Sequence, residues 1–319
     1  MTEVCIGIDI GGTNTIYGLV DKNGRILAED STRTSDFEEA DKFLDNLVKK
    51  INQTISELSE DIVLKGIGIG APNGNYYNGT IEFAPNLKWN GIIELVKMTK
   101  QYFPLPVYLT NDANAAAIGE MIYGGAKGMK DFIVVTLGTG VGSGFVVDGK
   151  VVYGHDGFAG ELGHTIVKEN GRDCGCGRNG CLETYASANG LKRTMCDLIS
   201  TSSYSGTLQE RNGDNISAKD IDEAARNGDT LALKAFDITG EILGNSLANT
   251  VAITSPEAIF LFGGLANAGE LILDPTQKYM EENMLNIYKN RVKLLKSSLL
   301  EKNAAILGSS ALAWMELGY

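Results

Sequence analysis

Four side chains that ligate soft or borderline metals stand within eighteen residues, in the order His164, Cys174, Cys176 and Cys181. Glycines at 171, 175, 177 and 180 lie among them and let a short loop wrap one centre. A Cys3His set is a closed tetrahedral shell for zinc, and a closed shell stiffens a loop without activating water. The competing readings are a redox or disulfide pair and a set of unligated thiols, although Cys-x-Cys is too tight for ordinary disulfide geometry. Cys5 and Cys196 each sit in an apolar stretch and read as small buried side chains. Five cysteines, an odd number, fit a metal site in a reducing compartment better than a disulfide framework.

Carboxylates bracket this cluster, Glu161 three residues before His164 and Glu183 two after Cys181. Held rigidly, they can accept hydrogen bonds from neighbouring hydroxyls of a polyol while Asn86 or Asn111 donates in return. Taken singly, each of these four is an ordinary surface or turn residue. Asp9 precedes the turn Gly11-Gly12-Thr13-Asn14-Thr15, and two further glycine turns occur at Gly138-Thr139-Gly140 and Gly263-Gly264. None carries the Gly-Lys-Ser/Thr of a P-loop, and the first two run into strands where a dinucleotide fingerprint needs a helix. A structural hairpin and a phosphate cradle both remain for any one of them; the repetition favours nucleotide binding, with backbone N–H groups and the hydroxyls of Thr13, Thr15 and Thr139 as donors. Asp9 either caps its turn or holds magnesium through water. Asp112 follows Asn111 at the end of a strand and opens the small-residue run Ala113–Gly119, so helix N-cap and chemical base are compatible readings.

The elements that must position these residues are readable from periodicity. Val4–Ile10 and Ile16–Val20 flank the first glycine turn as a hairpin, and Asp21-Lys22-Asn23-Gly24 turns the chain again before Arg25–Ser31. Ser35 and Glu38 form a capping-box pattern ahead of a helix carrying Phe37, Ala40, Leu44, Leu47, Val48, Ile51, Ile55 and Leu58. Leu64–Gly70 and Val107–Thr110 read as strands, with Pro72–Asn90 as a long loop between them. A second cycle opens at Phe132–Leu137, breaks at 138–144, and resumes through Phe145–Val147 to the turn at Asp148-Gly149. The helix-rich stretch Ala218–Thr254 leads to a strand at Ala258–Phe262, and Ser309–Leu317 suits a terminal helix. Two hairpins 127 residues apart, each opening an α/β half, point to an internally duplicated fold with a cleft between halves.

The 319 residues carry 28 Lys and Arg against 40 Asp and Glu, a formal charge of -12, which disfavours a non-specific grip on nucleic acid or anionic lipid. The N-terminus lacks a basic segment and a long apolar run, and no later stretch approaches about 20 uninterrupted apolar residues, so the expectation is a cytoplasmic protein with no membrane partner.

Asp9 through Thr15, Pro85-Asn86-Leu87-Lys88-Trp89, Asn111-Asp112-Ala113-Asn114, Leu137-Gly138-Thr139-Gly140 and Glu161-Leu162-Gly163-His164 through Cys174-Gly175-Cys176-Gly177-Arg178-Asn179-Gly180-Cys181-Leu182-Glu183 together resemble the ROK (repressor, open reading frame, kinase) family, especially its bacterial glucokinases. The resemblance spans residues 4 to about 310 and follows the family's motif order. It implies an actin-like, hexokinase-type (ribonuclease H-like) α/β fold, duplicated into two lobes with a zinc-stabilised loop at 164–181. The expected lobes are a small one at 1–118, completed by a C-terminal helix at about 298–319, and a large one at 119–297. It also implies ATP with magnesium on Asp9, Gly11, Gly12, Thr13, Asn14, Thr15, Gly138, Thr139, Gly140, Gly263 and Gly264. A hexose would be bound through Asn86, Asn111, Asp112, Glu161, His164 and Glu183, with Asp112 as base and structural zinc on His164, Cys174, Cys176 and Cys181. Glucose is the expected acceptor; fructose, N-acetylglucosamine and N-acetylmannosamine are the alternatives, and polyphosphate is an alternative donor. A sugar-responsive DNA-binding regulator is disfavoured by the charge and by a first strand beginning at Val4, and proteins of this kind are commonly homodimers. One departure is Asn73, in Gly70-Ala71-Pro72-Asn73, where the family usually has glycine.

Overall fold

Large and small side chains alternate along the first strand, and that alternation sets what lies on each face of its sheet. The computed structural model describes residues 1–201, 208, 216–299 and 301–319. It divides the chain into one unit of Met1–Met129, Val151–Gly160 and Ser298–Tyr319 and a second of Lys130–Lys150 and Glu161–Ser297. In the first unit the strands β1 (Thr2–Ile10), β2 (Asn14–Asp21), β3 (Ile26–Arg33), β4 (Ile62–Ala71) and β8 (Val107–Asn111) form a sheet of order β3-β2-β1-β4-β8. β1 and β2 are the expected antiparallel hairpin, whereas β1, β4 and β8 run parallel. Ile6, Ile8 and Ile10 of β1, with Ile67 and Ile69 of β4, join Phe43, Leu44, Leu47 and Ile51 of helix α1 (Ala40–Ser56) in one core. The residues of opposite parity face helix α9 (Glu301–Glu316), which lies so close that a Cβ on Gly7 would meet Ile306 O at 2.3 Å and one on Gly68 would meet Ser309 O at 1.8 Å. By the same parity Asp9 sits on the α9 side of the sheet.

Three local expectations are corrected. No capping box starts α1, because Glu39 is its N-cap and makes no side-chain cap bond. The residues before it are held elsewhere: Ser35 N donates to Thr13 O, and Trp89 Nε1 donates to Phe37 O at 3.2 Å, so Phe37 stays extended. The 72–90 loop contains strands β5 (Gly74–Asn75) and β6 (Thr80–Glu82), which pair with each other, and β6 also pairs with β7 (Ile92–Ile93) ahead of the short helix α2 (Leu95–Thr99). Position 118/119 lies inside helix α3 (Asp112–Ile122), and the units divide after Met129. The chain beyond α3 stays tied to it, since Glu120 Oε2 accepts from Gly125 N at 2.7 Å.

The second unit repeats the layout. Strands β9 (Phe132–Leu137), β10 (Val141–Val147), β11 (Lys150–Val151), β12 (Ala258–Phe262) and β13 (Lys293–Lys296) take the order β11-β10-β9-β12-β13. An antiparallel β9–β10 hairpin again opens it, and β9, β12 and β13 run parallel. Helices α4 (Glu183–Ala186), α5 (Ala188–Thr201), α6 (Ala218–Arg226), α7 (Thr230–Thr254) and α8 (Glu270–Asn283) accompany this sheet. Gly240 and Gly244 let α7 approach α8 closely, a Cβ at the latter lying 2.5 Å from Thr276 O. Among the described residues no helix is long and apolar enough to cross a membrane.

Candidate active site

In the first unit the parallel register pairs Asp9 with Gly70 and Ala71 with Asn111, so β1, β4 and β8 all end at one edge. Ligands of open α/β sheets gather at this carboxyl edge, where successive loops splay apart. Asn111 is the N-cap of α3, its Oδ1 accepting from Ala113 N at 2.9 Å; Asp112 is therefore the first helical residue and not the cap. Asp112 Oδ1 accepts from the same N–H at 2.8 Å, which aims the carboxylate at the positive end of the helix. Water reaches Asp112, which is exposed by area, yet the protein dense around its carboxyl withholds bulk solvation and raises its pKa against the opposing N–H bonds. Asp9 is pushed up to about 7, first by burial and second by the charge of Asp112.

The first glycine turn closes with Gly11 N donating to Asn14 O at 3.0 Å and leaves Thr13 and Asn14 exposed. Thr15 does not join them. Its side chain is buried and its hydroxyl is bonded to that of Thr34 at 2.8 Å, so it anchors the hairpin and offers nothing to a phosphate. Gly12 passes directly beneath Asn86, where a Cβ would lie 2.4 Å from the Asn86 carbonyl. Asn86 itself is exposed, carried on a turn fixed by buried Leu87 and Trp89. Asn73 adopts φ 50, a left-handed conformation that asparagine tolerates next best after glycine. Its Nδ2 donates to Glu82 O at 2.9 Å, tying down the loop that leads to Asn86.

In the second unit the register Phe262 to Thr136 sets the turns Gly138–Gly140 and Gly263–Gly264 side by side. Gly263 has φ +100, and a Cβ there would lie 2.8 Å from Leu137 O, so only glycine fits. The expected break at 138–144 is shorter: Gly142, Ser143 and Gly144 belong to β10. Ser143 Oγ accepts from Leu162 N at 3.2 Å, and Gly163 lets the Leu162–His164 turn lie against Val141. Thr139 is exposed at the tip of its turn, and Glu161 is exposed at the residue preceding the Leu162–His164 turn.

His164, Cys174, Cys176 and Cys181 offer ligand atoms all within 4.8 Å of one another. Cys174 Sγ lies 3.7 Å from His164 Nδ1, and Cys176 Sγ lies 3.6 Å from Cys181 Sγ. Zinc–sulfur bonds of about 2.3 Å place tetrahedral ligands about 3.8 Å apart, so the donor set fits zinc. Burial raises the Cys176 thiol, but Arg178 outweighs it and lowers the pKa to about 6, favouring thiolate. Because Nδ1 faces the cluster, His164 retains Nε2 for a second partner, and metal and sugar roles are compatible. Glu183 touches both features of this unit. Its Oε1 lies 2.9 Å from Cys174 Sγ, and its Oε2 would be 2.6 Å from a Cβ on Gly140. Arg172, which spans this loop and the helices behind it, gave no sequence signal because a buried arginine brace has no motif.

Residues 5–316 match the model of the ROK family. A glucokinase of Thermotoga maritima is 33% identical over 321 residues, covering 98% of each chain. A xylose repressor of Caldicellulosiruptor bescii is 31% identical and matches 96% of this chain but 77% of its own length. The crystal structure of a ROK family glucokinase from Streptomyces griseus, in complex with glucose and AMPPNP, matches with a TM-score of 0.80 at 34% identity, over 98% of this chain and 99% of that one.

Proposed function

We propose, from the premise that this chain belongs to the ROK family, that it is a sugar kinase whose acceptor is glucose, phosphorylated at the primary hydroxyl by ATP. The observation that carries this is the carboxylate of Asp112, open to solvent at the carboxyl edge of three parallel strands in a chain similar to glucokinases. Asp112 takes the proton of the sugar hydroxyl as that oxygen attacks the γ-phosphorus, and the bond to the bridging oxygen breaks to release ADP. Asn86, Asn111, Glu161, His164 Nε2 and Glu183 are the proposed hydroxyl partners. The N–H groups and exposed hydroxyls of Gly11–Asn14 and Gly138–Gly140, with Gly263-Gly264 alongside, are assigned to the phosphates. Asp9 is the carboxylate assigned to the magnesium that accompanies ATP. Zinc, when bound to His164, Cys174, Cys176 and Cys181, supplies rigidity to the loop and no reactive water.

Release of ADP, followed across a panel of hexoses and amino sugars with and without magnesium, tests donor and acceptor together. Glucose should give the highest kcat/KM; a preference for fructose, N-acetylglucosamine or N-acetylmannosamine would replace the acceptor and keep the kinase. The likeness to repressors raises the second reading of a DNA-binding regulator, which the net charge of -12 opposes and an electrophoretic shift on DNA would revive. Homodimer formation is proposed on the family resemblance and is tested by sedimentation equilibrium.

A further inference from the structure

We propose that Arg172 is a positioning residue for Glu183, a metal-independent brace for the helical turn that presents this carboxylate to the sugar. The inference rests on the reading of Glu183 as a sugar ligand. Glu183 opens α4, a single turn of four residues. A helix this short lacks the cooperativity to hold itself, and its last carbonyls have no partners within the turn. Arg172 supplies them from the side. Its Nη1 donates to Thr184 O at 2.9 Å and to Gly190 O at 3.1 Å, joining α4 to α5. Its Nη2 donates to Thr194 Oγ1 at 3.0 Å and to Asp197 at 2.7 Å. The guanidinium lies 4.6 Å above the Tyr185 ring, and the Arg172 N–H donates to the Tyr185 hydroxyl at 2.9 Å. The side chain is 15% exposed, so most of these bonds are shielded from water.

Glu183 is thus held from two directions. The Cys3His cluster fixes the loop on one side, and Arg172 fixes the turn on the other. Without the guanidinium the Thr184 carbonyl loses its donor and Gly190 O keeps the Thr194 hydroxyl but no longer ties α5 to α4, so the turn that carries Glu183 is free to roll while the four metal ligands keep their places. Lysine cannot replace it, because one ammonium cannot span four acceptors lying in different directions while stacking on a ring.

The test compares wild type with Arg172→Met, Arg172→Lys and Asp197→Ala, reading bound zinc, thermal midpoint, and KM and kcat for glucose and ATP separately. Outer-shell partners typically contribute about 10–100-fold, and a rise of that size in the glucose KM is expected for Arg172→Met, with zinc content and the ATP KM unchanged. Arg172→Lys should fall between, and it decides the matter if Arg172→Met does not fold. Asp197→Ala removes only a solvent-exposed arm and should match wild type. An unchanged glucose KM in both Arg172 variants, with only a lower midpoint, overturns the proposal and leaves Arg172 a plain stabiliser. Zinc lost in proportion to the KM rise overturns it as well, since the effect would then pass through the metal. A wild type that prefers another hexose moves the comparison to that hexose. A wild type that phosphorylates no sugar overturns the functional reading and, with it, the role of Glu183.

Discussion

Asp112 and Asp9 share one strand edge and differ in what their environments ask of them. A general base works best with a pKa drawn toward the working pH, and the raised pKa of Asp112 is a shift in that direction. Replacing Asp112 by Asn keeps the shape and the bond from Ala113 but removes the base. Turnover should fall by about 10²–10⁴ with glucose affinity retained by calorimetry, and a variant within tenfold of wild type would falsify the assignment. Asp9 makes a separate prediction. Its pKa rises from 3.8 to about 7 on folding, so between these values the folded chain holds a proton that the unfolded chain has released. The stability tied to the neutral form is complete below 3.8 and is lost as pH rises through about 7. An Asp9→Asn variant should therefore gain on wild type in melting temperature as pH rises across that window and hold a constant advantage above it. A difference that does not vary with pH would remove Asp9 from this account. The sequence pointed to both acids through their strand-end positions, but it could not assign the cap. That role went to Asn111, because cap identity depends on one backbone dihedral.

At the scale of elements, the glycine hairpins were legible because a run of turn residues between apolar strands leaves few other solutions. The capping box at Ser35 and Glu38 failed for the opposite reason, since tertiary bonds to Thr13 and Trp89 hold Ser35 in a short 3-10 turn (Thr34–Asp36) and Phe37 extended, so α1 starts only at Ala40. A real box occurs at α6, where Ser217 and Asp220 bond reciprocally. The small sheet in the 72–90 loop escaped detection because strands of two or three residues are shorter than any period they could display. The zinc loop carries its own prediction. Gly180 has φ +79 and would place a Cβ 1.8 Å from Lys168 O, so the fold of this loop is spatially demanding, and it brings together four side chains that could hold a metal. Cys181 is fully buried, and Cys181→Ser should lose bound zinc, lower the thermal midpoint and raise the glucose KM. Zinc retained at wild-type stoichiometry in this variant would argue against the ligand set.

Across the whole chain, the first unit is assembled from its two ends. Cys5 of β1 shares a buried cluster with Ala313 and Trp314 of α9, and the Trp314 ring donates to Val20 O at 3.3 Å. A chain ending at Ser297 should therefore lose the cooperative melting of the first unit while keeping bound zinc in the second. Limited proteolysis separates the two outcomes, and protection of residues 1–129 in the truncated chain would show that α9 is dispensable. Gly68→Val should act similarly through overpacking, at a cost of about 1–3 kcal/mol or more. By itself the sequence determined the duplicated α/β plan, the grouping of His164 with three cysteines and the glycine turns, because each follows from residue types at short spacing. Tertiary structure alone decided the rest. It turned Thr15 inward onto Thr34, placed the Asn86 turn over Gly12, set Glu183 against Gly140, and recruited Arg172 to hold it. These depend on which surfaces meet after folding, and no local pattern encodes the partner of a buried hydroxyl or guanidinium.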